Sequence, residues 1–199
     1  MKIIPIGALL LAAVSAVAQN PPAASPHCEG LPPGKHANLE RMTAGMNLTC
    51  EQQLRIEPLL HDEESVSKPL LRFSSFSADE RSEFMNKVKI AARRQIRTQL
   101  TPDQQKWMDE DIANVSKSGK KGGGKKGVEK KEAAPGADPL ADEEALSKAV
   151  MAYAALSPEE KKSMVLQVKR AARSDSALAL TPEQQKALDA QIAALSQGH

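Results

Sequence analysis

Glu57, His61 and Glu64 have the residue types and the spacing that come closest to a metal site in this chain. They lie at positions i, i+4 and i+7, so an α-helix would bring them to one face. Carboxylate and imidazole groups in that arrangement bind a divalent metal weakly. The alternative is an ordinary exposed histidine, and a second copy of this segment has Ala141 where the first has His61. The sequence therefore indicates a weak metal site there and no stronger one.

The sequence contains no arrangement of residues that is typical of an enzyme active site. It lacks an H-E-x-x-H zinc motif, a G-x-S-x-G nucleophile turn and a phosphate loop placed between a strand and a helix. The run Gly122–Gly124 lies among lysines instead. We therefore expect a protein that is not an enzyme and that needs no cofactor.

Cys28 and Cys50 are the two cysteines of the chain. In an oxidising compartment they can form a disulfide that ties a proline-rich segment to the start of the first long helix. Free thiols or a bond between two chains are the alternatives. A thiolate metal site would need more ligands than the sequence offers.

The motif Leu-Thr-x-x-Gln occurs three times and indicates a helix start each time. The Thr hydroxyl at the N-cap accepts from a backbone N–H of the first turn, and the Gln reaches back to the N–H of the cap, which makes a capping box. The motif residues are Leu48, Thr49 and Gln52, then Leu100, Thr101 and Gln104, then Leu180, Thr181 and Gln184. Ser77 with Glu80 and Ser157 with Glu160 follow the same pattern. No comparable signal exists for strands, so the sequence predicts an all-α fold.

A repeat underlies these motifs. When the chain is shifted by 80 residues, the segment 60–116 falls on 140–196 without a gap, and 23 of 57 positions are identical. Apolar positions match at helical spacing, which predicts a duplicated helical unit. The second copy has no counterpart of the first Leu-Thr-x-x-Gln motif.

Composition divides the chain into five parts. Residues 1–18 have the basic start, the apolar run and the small-residue cleavage site of an export signal peptide, so we expect a periplasmic protein. The apolar run is too short for a membrane span, and no other stretch is long enough. The remaining parts are a proline-rich arm at 19–47, a first helical unit at 48–116, a linker at 117–137 and a second unit at 138–199.

The linker 117–137 contains seven Lys, two Glu and the three consecutive glycines, which predicts a flexible, disordered tether between the units. Its lysines could contact nucleic acid or an anionic membrane, but a charge run without aromatic residues specifies no particular nucleic acid.

Each unit is expected to form about three helices in elongated hairpins. Such a unit is small, and only 3% of the residues are aromatic, so it buries little surface by itself. We therefore expect the two units to pair, either within one chain or between two chains.

The helix that follows Ser77 in the first unit, and its copy after Ser157, are apolar on one face and basic beside it. Such a surface can hold an unfolded chain weakly through adaptable apolar contacts and long-range attraction. Its candidate client-binding residues are Phe84, Met85, Val88, Arg93, Arg94, Met164, Val165 and Arg173. For each arginine, the alternative is an ordinary solvated helix face.

The export signal, the Leu-Thr-x-x-Gln helix starts and the basic amphipathic helix that runs into Leu100-Thr101-Pro102 together resemble the LTXXQ-motif family of periplasmic proteins typified by Spy and CpxP. Residues 48–116 resemble a full unit, and 140–196 a unit without its first motif. The resemblance implies an all-helical, cradle-shaped dimer that acts as an ATP-independent chaperone for unfolded or misfolded exported proteins.

Two other functions remain open at this point. Related members of that family restrain a stress-sensing membrane kinase or bind zinc, so an envelope-stress or metal-responsive regulator binding zinc or copper is the main alternative. A structural or adhesive helical protein that uses the Lys-rich tether on an anionic surface is the other.

Overall fold

The structure is a computed structural model that describes residues 28–31, 37–118 and 140–197. The predicted signal peptide, about half of the proline-rich arm and nearly all of the predicted linker lie outside the described residues.

Helices make up almost all of the described part of the chain, and no strand occurs in it. The prediction of an all-α fold is confirmed. None of the described helices is both long and apolar enough to cross a bilayer. The α-helices are α1 (Ala37–Met46), α2 (Cys50–Arg72), α3 (Ala78–Arg97), α4 (Pro102–Ser118), α5 (Ala141–Ala152), α6 (Pro158–Ser174) and α7 (Pro182–Ser196), and a 3-10 turn (Ser176–Leu178) lies between α6 and α7.

Capping boxes begin five of these helices. Both reciprocal hydrogen bonds are present at Thr49, Ser77, Ser157 and Thr181, and Thr101 makes the same two bonds with Gln104. The helix α5 differs, because its N-cap is Leu140 and no side chain caps it. The predicted helix starts thus coincide with the observed ones, and the second repeat begins without a capped helix.

Helix α1 lies in the segment that composition indicated as a proline-rich arm. Its apolar side chains Leu39, Met42 and Met46 fall at helical spacing, and all three are buried. They belong to a core cluster that also contains residues of α2, α3 and α4, among them Ile56 and Met108. The helix ends at Asn47, which has the left-handed φ of 51° that Asn tolerates. A disulfide joins Cys28 to Cys50, the pairing that the sequence indicated.

A second and larger core cluster contains residues of both repeats. Its members come largely in equivalent pairs, which are Val66 and Leu146, Leu70 and Val150, Phe73 and Tyr153, Phe76 and Leu156, and Phe84 and Met164. Helix α2 packs on α5, and an ion pair of 3.8 Å joins Arg72 at the end of α2 to Asp142 at the start of α5. The two repeats therefore bury their apolar faces against each other within one chain.

Candidate functional site

The first two Leu-Thr-x-x-Gln motifs meet in the structure, and their glutamines pair. Gln52 Nε2 donates to Gln104 Oε1 at 2.8 Å, and Gln104 Nε2 donates to Gln52 Oε1 at 3.2 Å. Gln104 Nε2 also donates to the carbonyl of Met46 at 3.1 Å, at the end of α1. The motif thus does two things with one side chain. The amide oxygen caps its own helix, and the amide nitrogen joins the starts of α2 and α4.

The capping boxes at the starts of α3 and α6 use Glu instead of Gln. Ser77 is paired with Glu80, and Ser157 with Glu160, and in both a Glu oxygen accepts from the N–H of the cap at 2.9 Å. A carboxylate caps as well as an amide oxygen does, but it has no N–H to donate. A glutamine at this position can therefore cap its helix and also donate a hydrogen bond to another segment, which a glutamate cannot do.

Gln184 is the third glutamine of this kind, and it only caps. Its Oε1 accepts from the N–H of Thr181 at 2.9 Å. Its Nε2 has no hydrogen-bond partner among the residues that the structure describes. Leu180 of the same motif is half-buried, whereas the equivalent Leu100 is buried beside Leu48. The sequence of the second repeat has no counterpart of the motif that covers this position in the first.

A buried ion network lies at the centre of the first repeat. Arg93 Nε donates to Asp111 Oδ2 at 2.9 Å, and its Nη1 donates to Glu63 Oε2 at 3.0 Å. Arg41 of α1 donates to Asp111 Oδ1 at 2.9 Å. Burial alone would raise the pKa of Asp111. The hydrogen bonds and positive charges of Arg41 and Arg93 have the larger effect, so the pKa lies below its ordinary value. The network therefore joins α1, α2, α3 and α4 through charge-assisted hydrogen bonds.

The second repeat replaces this network with a smaller one. Glu143, the equivalent of Glu63, accepts from Lys169 Nζ at 3.0 Å and from Ser147 Oγ at 2.7 Å. Arg173, the equivalent of Arg93, instead donates to Asp189 at 2.8 Å near the surface. Arg173 has a different partner because Gln191 stands where the first repeat has Asp111. The neutral amide of Gln191 cannot form an ion pair with an arginine.

Tyr153 joins the two repeats beside the first network. Its hydroxyl donates to the carbonyl of Val88 at 3.4 Å across the shared core. Burial raises the pKa of Tyr153, and the nearby carboxylates Glu63 and Asp62 raise it further. The phenol is therefore a neutral hydrogen-bond donor in the interior of the protein.

Most of the candidate client-binding residues lie in the interior. Phe84, Val88, Met164 and Val165 are buried in the shared core, and Met85 is half-buried against it. The apolar stripe that the sequence offers as a binding face is covered because the repeats pack on each other. Client contact at these positions would require the helices to separate.

The three candidate arginines have different surroundings. Arg93 is buried in the ion network. Arg94 is exposed and donates to Glu160 of α6 at 3.2 Å. Arg173 donates to Asp189. Arg94 therefore links the repeats across their outer surface and is the most accessible of the three.

Glu57, His61 and Glu64 do not form a metal site in the structure. Among the described residues, no three His, Cys, Asp or Glu side chains come together in a way that could hold a metal ion. The carboxylate of Glu64 lies 3.6 Å from Lys68 Nζ, one turn along α2. The i, i+4, i+7 spacing was therefore not sufficient to predict a chelating group.

Two large apolar side chains are exposed at equivalent positions of the two repeats. Leu71 of α2 is 70% exposed and Met151 of α5 is 56% exposed. Each lies three residues after an exposed lysine, Lys68 or Lys148, which places the lysine on the same side of the helix. Helices α2 and α5 pack on each other, and their exposed residues Lys68, Leu71, Lys148 and Met151 are here together called the α2–α5 face. Sequence analysis missed it, although the matching positions in the two repeats could have identified it.

Comparison of the chain with protein-family models, curated proteins and solved structures finds no match. The geometry of the chain itself must therefore support any assignment of function.

Proposed function

We propose that the protein is an exported, ATP-independent chaperone-like protein that binds unfolded or stressed envelope proteins on the α2–α5 face. The observation that supports this proposal best is the exposure of Leu71 and Met151 at equivalent positions of two packed helices. Export rests on the signal-peptide pattern of residues 1–18.

The chemistry of the α2–α5 face suits weak and unspecific binding. Met and Leu offer flexible apolar contacts, and a thioether in particular adapts to clients of different shapes. Lys68 and Lys148 lie beside them and attract acidic segments of a client before contact. Because two apolar side chains bury little area, release needs no nucleotide and occurs by simple dissociation.

The test is aggregation of a chemically denatured client, followed by light scattering, without ATP and without added metal. We expect the protein to suppress aggregation at about one chain per client. A Leu71→Ser, Met151→Ser double variant should lose most of that suppression and keep its helical circular dichroism. Leu54→Ser is the matched control, because Leu54 is exposed on α2 but has no equivalent in the second repeat, and it should keep the activity.

Two outcomes would contradict the proposal. Equal suppression by the double variant and by the control would place client binding elsewhere on the molecule. A helical, folded protein that suppresses no aggregation would favour the envelope-stress regulator, and a zinc and copper titration would follow.

A further inference from the structure

We infer that a groove between the start of α3 and the outer face of α6 binds an arginine side chain of another polypeptide, with a carboxylate next to that arginine. The inference does not depend on the proposed function, because none of the residues of the α2–α5 face lines this groove. It rests on two equivalent places in the chain, one of which is occupied by an arginine of the chain itself.

The groove is large enough for a side chain of this kind. Its volume is about 480 Å³, which lies within the range of small-ligand pockets. Glu80 of α3 forms one wall. The other wall is a single face of α6, because its residues recur at helical spacing, and they are Ser163, Leu166, Gln167, Arg170, Ala171 and Ser174. Apolar and charged groups lie side by side there, which suits a side chain with an apolar stem and a charged end.

The equivalent place in the other repeat shows an arginine bound to the corresponding glutamate. When the repeats are exchanged, Glu80 corresponds to Glu160 and Ser174 to Arg94. There Arg94 Nη1 donates to Glu160 Oε1 at 3.2 Å, between the end of α3 and the start of α6. The serine at 174 is too short for this, and its hydroxyl donates to the carbonyl of Ala171 at 3.1 Å instead. The groove beside Glu80 is therefore the place from which the chain's own arginine is missing.

Both glutamates use one oxygen for the helix cap. Glu160 Oε2 accepts from the N–H of Ser157, and its Oε1 accepts from Arg94. Glu80 Oε2 accepts from the N–H of Ser77 at 2.9 Å and from its hydroxyl at 2.7 Å, and Glu80 Oε1 has no hydrogen-bond partner within the described residues. Glu80 is also exposed, whereas Glu160 is half-buried. The cap thus fixes the Glu80 carboxylate and leaves one oxygen for a guanidinium group.

Arg170 explains why the ligand needs a carboxylate as well. It stands where the first repeat has Ile90, it is exposed in the groove, and it has no ion-pair partner in the part of the chain that the structure describes. A bare cation is attracted by Glu80 but repelled by Arg170, whereas a ligand with both charges can pair with each of them. An arginine followed by an acidic residue in a peptide has both charges.

The test is an NMR titration of the isotope-labelled full chain with two short peptides. One is acetyl-Gly-Arg-Asp-Gly-amide, and the other has citrulline, the uncharged isostere, in place of the arginine. We expect the arginine peptide to shift the backbone amides of Glu80 and of the groove face of α6 to saturation, with a Kd in the millimolar range because the charges are exposed. The citrulline peptide should bind at least about tenfold more weakly. Tighter binding of free L-arginine than of the peptide would overturn the assignment of a polypeptide as the occupant.

Glu80→Gln tests the charge without removing the cap. Glutamine keeps a capping oxygen, as Gln52 and Gln104 show, so the variant should stay folded and bind the arginine peptide at least about tenfold more weakly. Asp79→Asn is the matched control, because Asp79 is exposed, has the same charge one residue earlier and does not line the groove. It should keep the Kd within about twofold. Equal weakening by the two variants would show general charge attraction alone and would overturn the inference.

Substitutions at the two equivalent positions test the origin of the groove. Ser174→Arg should fill the groove from within the chain, pair with Glu80 and abolish peptide binding there. Arg94→Ser should open the equivalent place, so that acetyl-arginine amide, which has no carboxylate, newly shifts the amide of Glu160, since no counterpart of Arg170 repels it there. A Ser174→Arg chain that binds the peptide with an unchanged Kd would overturn the inference, as would an unsubstituted chain without saturable shifts in the groove.

Discussion

At the scale of single residues, the difference between Gln and Glu in a capping box decides what a helix start can do. Gln104 caps α4 and also donates to Gln52 and to the carbonyl of Met46, whereas Glu80 and Glu160 cap their helices but have no N–H to donate. The sequence predicted the caps correctly, because the pattern is local and the hydrogen bonds lie within four residues. It did not predict the pairing of Gln52 with Gln104, because that contact depends on how α2 and α4 approach each other.

The first prediction compares the same substitution at two equivalent positions. Gln104→Glu should lower the free energy of unfolding by about 1–2 kcal/mol, because the carboxylate leaves the Met46 carbonyl without a donor. Gln184→Glu should change it by less than about 0.5 kcal/mol, because capping alone is kept. Urea unfolding at low protein concentration, followed by circular dichroism, measures both. Equal losses at the two positions would contradict the role assigned to the amide nitrogen.

The second prediction concerns acid stability. Because the pKa of Asp111 is lowered in the folded protein, its ion pairs contribute stability that is fully present above about pH 4 and is lost as the pH falls further. Asp111→Asn should therefore cost about 2–3 kcal/mol at pH 7 and less at pH 3. Urea unfolding at both pH values gives the difference. Asp109→Asn is the control, since Asp109 pairs with Arg97 at the surface, and its effect should be small at both pH values.

At the scale of helices, α1 is an element of the first unit that has no counterpart among the described residues of the second repeat. It packs on α2 and α4, and Gly45 allows this close approach, because a Cβ at that position would lie 2.7 Å from the indole of Trp107. Arg41 of the same helix lies over the Trp107 ring at 5.5 Å. Sequence analysis missed α1, because prolines and a cysteine before it indicated an extended arm and its apolar stripe is only three residues long. The contacts of Trp107 with Gly45 and Arg41 could not be inferred from local spacing, because they join α4 to α1.

The third prediction is that Gly45→Ala changes the free energy of unfolding in opposite directions in the natural chain and in a Trp107→Ala variant. Gly45→Ala should destabilise the natural chain by about 1–3 kcal/mol, because the added methyl group collides with Trp107. In a Trp107→Ala background, which imitates Ala187 of the second repeat, the same change should stabilise by up to about 1 kcal/mol through helix propensity. A double-mutant cycle by urea unfolding measures the coupling. Additive effects would show that Gly45 and Trp107 are not in contact.

At the scale of the whole molecule, the two repeats share one core. The sequence predicted that the units must pair, because each is small and poor in aromatic residues, but it left open whether they pair within or between chains. The structure places Tyr153 and Leu146 of the second repeat against Val88 and Val66 of the first. The same periodicity that predicted client contacts at Phe84 and Met164 thus describes the buried faces of that pair. Periodicity identifies the apolar side of a helix, but it cannot tell which partner covers it.

The fourth prediction follows from the shared core. Leu146→Ala should cost about 2–5 kcal/mol, because Leu146 is fully buried. The single tryptophan, Trp107, reports on the first repeat only. If the repeats unfold as one unit, fluorescence of Trp107 and circular dichroism should show the same lowered midpoint in urea. If the urea midpoint measured by Trp107 fluorescence is the same in Leu146→Ala as in the unsubstituted chain, the repeats unfold independently.

Pairing of the repeats within one polypeptide has a consequence for how this protein can change over evolutionary time. In a symmetric dimer of identical units, every substitution occurs twice, once on each side of the axis. Here Trp107 of one half has Ala187 as its counterpart in the other, and Arg94, which pairs with Glu160, has Ser174 as its counterpart. The two halves have therefore been free to diverge, so one half can retain a role that the other gives up. Because both halves belong to one polypeptide, they are always present in equal amounts, whatever the concentration of the protein in the cell.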